Sequence, residues 1–298
     1  MIPQINSLRV LMTKLRYLLP LALLLLVAPV VRGQATEASI KKQIDGLRAL
    51  PDSDRPAATT KIAMDIRTLP AGNDKVKLAD ALTNLSTEGD PGHDTLQAVG
   101  DTLAQSLKQT PQPLAKDGSP ARPYLDLARL VRYEGVTTDI NDPMFAKAAE
   151  ILIADDADVQ KADFTLKDLN GKKVTLSALK GKIVLVNFWA TWCPSCRKEM
   201  ADLDLIYTHY QPEGLVILSL SSENPFTVGS FLNGKDYHPP VLLDDGGKVA
   251  KEFHVDGLPR SFVFDRDGKL VAESIDMRTQ RQFFDMLAAA GLQPLGSK

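Results

Sequence analysis

Residues 184–199 run from Val184-Leu185-Val186-Asn187-Phe188-Trp189 through Ala190-Thr191-Trp192 to Cys193-Pro194-Ser195-Cys196 and Arg197-Lys198-Glu199. The apolar, β-branched and aromatic run predicts a buried strand. An amphipathic segment follows at once, so the strand delivers two cysteines to the first turn of a helix. They are the only two cysteines among 298 residues. A dithiol/disulfide switch at a helix N-terminus is the leading reading. The bland alternative is a structural staple, but cysteines separated by two residues close a very small loop and constrain the unfolded chain little. The bare spacing also occurs in zinc sites.

The chain has room for two domains of ordinary size. At 44% hydrophobic and 24% charged it should pack a core, and a formal net charge of -2 gives no reason to expect nucleic-acid binding. Residues 1–34 read as a signal peptide. Arg9, Lys14 and Arg16 flank a short apolar run over 18–31, and Gly33 offers a small-residue cleavage point. Pro20 and Pro29 interrupt the run, which is shorter than the roughly 20 residues of a spanning helix. The expectation is export to the periplasm, with retention by an uncleaved N-terminal anchor as the alternative. No cysteine follows the run, which argues against a lipid anchor.

Residues 35–157 carry helical periodicity throughout: Ile40, Ile44 and Leu47; Ile62, Ile66 and Leu69; Leu78, Leu82 and Leu85; Leu96, Val99, Leu103 and Leu107. Further helices are expected over 123–133 and 143–154, with Asp142-Pro143 as an N-cap and first-turn proline. Pro and Gly clusters separate them. This all-α domain has no cysteine, one histidine (His93) and no convergent polar cluster. Its pattern allows a bundle or a short solenoid, and partner contact or dimerisation is the only functional expectation.

The pattern changes over 158–298. Strands are expected over 163–166, 173–176, 183–189, 215–220, 241–243, 261–264 and 270–273. Helices are expected over 196–209, 225–232, 248–253 and 279–290. Asp265-Arg266-Asp267-Gly268 is a hairpin turn. This order gives an α/β sandwich, a central mixed sheet with helices on both faces.

A strand leading to Trp-Cys-x-x-Cys, with Gly257-Leu258-Pro259 ahead of a terminal hairpin, resembles the thioredoxin superfamily. Asp163-Phe164 through Leu176, Leu179-Lys180-Gly181-Lys182 and the block from Asn187 to Cys193 resemble, more closely, its TlpA/ResA-like exported thiol-disulfide oxidoreductases. The likeness covers roughly residues 158–292 and leaves the helical half unassigned.

The resemblance implies a role for each matched residue. Cys193 is the attacking nucleophile, at the N-cap with its sulfur exposed, where free N–H groups and the helix dipole favour the thiolate. Cys196, less exposed, resolves the mixed disulfide. Trp192 shields one side of the pair. Glu199 is an acid near the cysteines, serving proton transfer, with a plain surface glutamate as the alternative. Asn187 stands where thioredoxins proper carry a buried aspartate. Pro259 matches the family's cis-proline and places the backbone of Leu258 beside the disulfide, open to an extended substrate. Arg260 departs from the usual threonine, so a guanidinium is expected near the sulfurs, stabilising the thiolate or selecting an acidic partner, or else simply solvated.

The expected function is exchange of the Cys193/Cys196 dithiol with protein thiols and disulfides, as a reductant, with no cofactor and no metal. The resemblance implies cytochrome c maturation as a task and a membrane electron donor as a partner. Two intervening residues do not fix the direction, since the superfamily spans about -270 to -120 mV. A thiol peroxidase is a second reading. Its pattern wants threonine three residues before the reactive cysteine, where this chain has Ala190, with Thr191 one place too late. A copper or zinc carrier is a third, with His238 or His254 as added ligands.

Overall fold

The computed structural model describes residues 35–293. The expected leader, residues 1–34, lies outside them, as do residues 294–298. Among the described residues no helix is long and apolar enough to cross a membrane.

The first part is all-helical, as expected: α1 (Glu37–Gly46), α2 (Arg55–Arg67), α3 (Asn73–Ser86), α4 (His93–Gln109), α5 (Arg122–Tyr133) and α6 (Pro143–Lys161). Local sequence sets the starts. Thr36 and Ser39 form a capping box on α1, and Asp142 accepts from Met144 N–H ahead of α6. Gly92, at φ +82°, turns the chain into α4 in a conformation that other residues resist. α4 is the central rod, with Leu96, Val99, Leu103 and Leu107 buried against the apolar faces of α2, α3 and α5. In α3 the fully buried face is Val76, Ala79 and Leu82, while Leu78 and Leu85 are only partly buried at its margin. A close approach is built into α4: a Cβ on Gly100 would stand 2.6 Å from Val136 Cγ1.

α6 exceeds its expected end at residue 154 because no glycine or second proline stops it before Lys161. It passes unbroken through residues 157 and 158. Its Val159 already packs among side chains of the sheet's core, so the helical and α/β parts share this helix.

The second part contains β1 (Thr165–Asp168), β2 (Lys173–Thr175), β3 (Ile183–Phe188), α7 (Pro194–Tyr210), β4 (Leu215–Ser221), α8 (Pro225–Leu232), β5 (Val241–Leu243), α9 (Lys248–Glu252), β6 (Arg260–Phe264), β7 (Leu270–Ser274) and α10 (Gln280–Ala289). They build the expected α/β sandwich, thioredoxin-like in its sheet. The strand order is β2-β1-β5-β4-β3-β6-β7, with β3/β4 and β4/β5 parallel and the remaining pairs antiparallel. β3 is buried along its whole length. Ile183 and Leu185 meet Leu203, Ile206, Phe283 and Leu287 of α7 and α10 on one face. Val184, Val186 and Phe188 meet Phe253, Phe262 and Phe264 on the other. Burial on both faces is why this strand reads as a continuous apolar run.

β7 is an edge strand, and the helical part covers it. Gln160 of α6 accepts from Leu270 N–H at 2.7 Å and donates to the Gly268 carbonyl at 2.9 Å. Side-chain pairing of this kind satisfies groups that would otherwise invite another strand. Arg129 of α5 reaches Asp256 at 2.6 Å, and Lys198 of α7 reaches Asp52 at 3.1 Å.

Candidate active site

β3 ends beside a tight turn, where Cys193 N–H donates to the Ala190 carbonyl at 3.2 Å. Thr191 is tied down by Glu223, through its N–H at 2.6 Å and its hydroxyl at 2.7 Å. Cys193 is the N-cap of α7, in extended backbone, and Pro194 fills the first helical position, where no N–H is needed. Cys196 N–H donates to Cys193 Sγ at 3.1 Å, and the two sulfurs form a disulfide. The helix start leaves the Cys196 N–H without a helical partner, and the turn sets Cys193 Sγ where it can accept from it.

The expectation of an exposed Cys193 sulfur is corrected here. In the disulfide form Cys193 is 3% exposed and Cys196 1%. Trp189, Met200, Val228 and Val241 pack around the pair, with Leu258 against them. α8 and the loop before β6 supply two of these side chains, and neither is close in sequence. Trp192 does not provide the cover: it is 69% exposed and projects into solvent. Phe226, at the start of α8 after the neighbouring strand, is 83% exposed.

The Leu258-Pro259 peptide is cis, and Arg260 then opens β6 opposite Phe188. Within the described residues neither the N–H nor the carbonyl of Leu258 has a hydrogen-bond partner. A free donor and acceptor therefore flank the cysteine pair, as an extended polypeptide requires.

Glu199 is buried, not on the surface. Its Oε1 accepts from the main-chain N–H of Arg278 at 2.5 Å and its Oε2 from Asn187 Nδ2 at 3.3 Å. Asn187 also donates to Ser261 Oγ at 3.0 Å. Burial pushes the Glu199 carboxyl up to about 8, aided by nearby Asp276. The Arg278 N–H and charge and the Asn187 amide oppose the rise. Such a carboxyl can hold or release a proton near neutral pH. Asp276 is itself pushed up to about 6, chiefly by burial. It lies two residues beyond the end of β7, and nothing in the local sequence signals that Asp276 would act on Glu199 or that Arg278 would bond it.

Arg260 is also corrected. Its side chain turns away from the sulfurs into the junction with the helical part, where the guanidinium pairs with Glu273 and lies 5.8 Å from the ring centroids of both Tyr133 and Phe262. Both partners of the ion pair are buried, so Arg260 offers no surface to an acidic partner and is not solvated either. The alternation of a strand explains this: the side chain at the first position of β6 faces Glu273 on β7 rather than the disulfide.

The two histidines considered as added ligands lie elsewhere. His238 pairs with Asp204 and Asp236, and His254 with Asp155 and Asp158 of α6. Among the described residues no group of three or more His, Cys, Asp or Glu side chains converges as a metal site.

The AhpC/TSA family profile matches residues 158–273. The thiol-disulfide oxidoreductase ResA of Bacillus thuringiensis subsp. konkukian (strain 97-27) is 39% identical over 126 residues, covering 42% of this chain and 73% of that protein. The ResA of Bacillus subtilis (strain 168) is 34% identical over 126 residues, 42% of this chain and 70% of that one. Among solved structures, a thioredoxin-family thiol:disulfide interchange protein from Chlorobium tepidum TLS is 27% identical with a TM-score of 0.40, covering 43% of this chain and 92% of that one. With a buried Cys-x-x-Cys disulfide on a helix N-cap faced by a cis-proline loop, and with 39% and 34% identity to the two ResA proteins over 73% and 70% of their lengths, the chain belongs, through its α/β part, to the ResA family of thiol-disulfide oxidoreductases.

Proposed function

We propose that the chain acts outside the cytoplasm as a reductant of protein disulfides, with cysteine-paired clients such as apocytochrome c. The observation that carries this reading is the unpaired backbone of Leu258 beside the Cys193–Cys196 pair, which suits an extended protein client better than a small molecule.

In the reduced enzyme the Cys193 thiolate attacks one sulfur of a client disulfide. A Cys193–client bond forms, the client S–S bond breaks, and the second client sulfur leaves as a thiolate that takes up a proton. Cys196, losing its proton, then attacks Cys193 Sγ and releases the first client sulfur. Two electrons pass to the client, and the enzyme is left with the disulfide. Cys196 N–H stabilises the Cys193 thiolate that makes the first attack. Glu199, buried three residues beyond Cys196 and able to hold a proton near neutrality, serves as the proton partner of that cysteine. A membrane electron donor would restore the dithiol.

A peroxidase fits less well. Ala190 occupies the place of the threonine that such chemistry needs, and Thr191 is engaged by Glu223. The deciding experiment is the midpoint potential of the pair in the full chain, with Cys196→Ser used to trap partners from an exported fraction. A reducing potential with trapped cysteine-paired clients supports the proposal. A potential near the oxidising end of the range, or peroxide consumption at enzymatic rates, overturns it.

A further inference from the structure

The Glu199 carboxyl is held from two sides. Asn187 of β3, itself bonded to Ser261 of β6, supplies one. The other is the loop of Asp276, Met277 and Arg278 between β7 and α10, which donates the Arg278 N–H. This loop is gripped by the helical part at each of its three residues. Thr87 Oγ1 donates to Asp276 Oδ2 at 3.2 Å, and Gly89 N–H donates to the Met277 carbonyl at 3.0 Å. The Arg278 guanidinium pairs with Glu134, just beyond α5, with both side chains more than nine-tenths buried. Gln282 Nε2 closes the clamp on the Gly89 carbonyl at 3.0 Å.

We propose that the helical half of the chain is a positioning element of the redox site: through Glu134 and Arg278 it fixes the place and the electrostatic surroundings of Glu199, and so the pH at which that carboxyl exchanges a proton with the cysteine pair. The proposal rests on the reading of Glu199 as proton partner. The groups that act on Glu199 are Asp276 and Arg278 from the loop, Asn187 from β3, itself bonded to Ser261 of β6, and Tyr237 ahead of β5; Cys196 lies three residues earlier on α7, on the same face of the helix. Behind them stand Glu134, which neutralises Arg278, and Glu88, which raises Asp276. Arg278 is the one cation in this set, and its attraction for the carboxylate is set by how far Glu134 offsets it.

Infrared titration of the Glu199 carboxyl in the oxidised full chain, assigned by its loss in Glu199→Gln, reads the effect directly. Glu134→Gln leaves the guanidinium unopposed, and the titration moves to lower pH. Arg278→Gln removes the cation but keeps the main-chain N–H, and the titration moves to higher pH. Each shift is of the order of one pH unit. General loosening of the junction would move both variants the same way, and that result, or no movement in either, overturns the proposal. Should Glu134→Gln fail to fold, the double variant with Arg278→Gln removes both charges and must still titrate higher than the parent; if it does not, the proposal falls. The exchange rate of Glu199→Gln against pH separates the two readings. An unchanged profile removes the proton role and this inference with it. An altered profile with unmoved titrations in the junction variants removes the inference alone.

Discussion

Asn187 Nδ2 lies 3.3 Å from Glu199 Oε2 and 3.0 Å from Ser261 Oγ, so one amide group links the central strand, the redox helix and the strand that follows the cis-proline. A neutral amide at this place leaves Glu199 as the titrating side chain between β3 and α7.

Stability should therefore fall as pH rises across neutrality. In the folded chain Glu199 keeps its proton up to about pH 8, whereas in the unfolded chain it releases it near the ordinary 4.5. Between these values the native state binds more protons than the unfolded state, so the stabilisation present below the lower value is lost by the upper one. Asp276 acts in the same direction between its ordinary 3.8 and about 6. The Glu199 part amounts to at most a few kcal/mol. Urea denaturation from pH 4 to 9 should show the decline, and Glu199→Gln should flatten its upper half. A stability that climbed between pH 5 and 8 would contradict the burial argument.

Arg260 and Glu273 form a buried ion pair whose loss is asymmetric. Arg260→Ala leaves a carboxyl without its cation in the junction and should cost about 3–5 kcal/mol. Replacing both residues by methionine should cost far less, because neither charge is then stranded. Denaturant midpoints of the two variants check this; equal losses would mean that the volume of the side chains, rather than the charge, matters there.

Trp192, next to Cys193, and Phe226, on the α8 that covers the pair, stand exposed where the proposed function would bring a protein client. Large exposed aromatics act as interface anchors when covered, with typical losses of 2 kcal/mol or more on truncation, about 30-fold in affinity. Trp192→Ala should raise the KM for reduction of insulin disulfides by about that factor. Its unfolding free energy should stay within about 0.5 kcal/mol of the parent. An unchanged KM would exclude Trp192 from client contact.

Gly100 tests the packing of the helical part. Alanine is the better helix former by about 1 kcal/mol, but its Cβ would meet Val136 Cγ1 at 2.6 Å. Overpacking of this kind costs about 1–3 kcal/mol, so Gly100→Ala should destabilise, and adding Val136→Ala should recover part of the loss. Thermal melts of the three variants measure it; a stabilised Gly100→Ala would show that α4 and the Val136 segment can separate freely.

The residues themselves determined most of the architecture. The period-3.6 faces of α1, α2 and α4, the continuous apolar runs of β3 and β4, and Pro or Gly at element boundaries are local signals that nothing distant overrides. The placement of Cys193 at a helix N-cap follows from the same local chemistry, because Pro194 and the amphipathic segment after it admit few other conformations. What only the tertiary structure decided is the surroundings of the site. Cys193 is buried because α8 and the cis-proline loop close over it, and Glu199 is proton-holding because burial desolvates its carboxyl by more than Asn187 and Arg278 pull the other way. Arg260 finds Glu273 and Tyr133 as partners because β7 pairs with β6 and α5 docks on the sheet edge. Each of these depends on the desolvation and pairing of groups far apart in the chain, from β3 to α10 and from α5 to β7, and no local pattern carries that information.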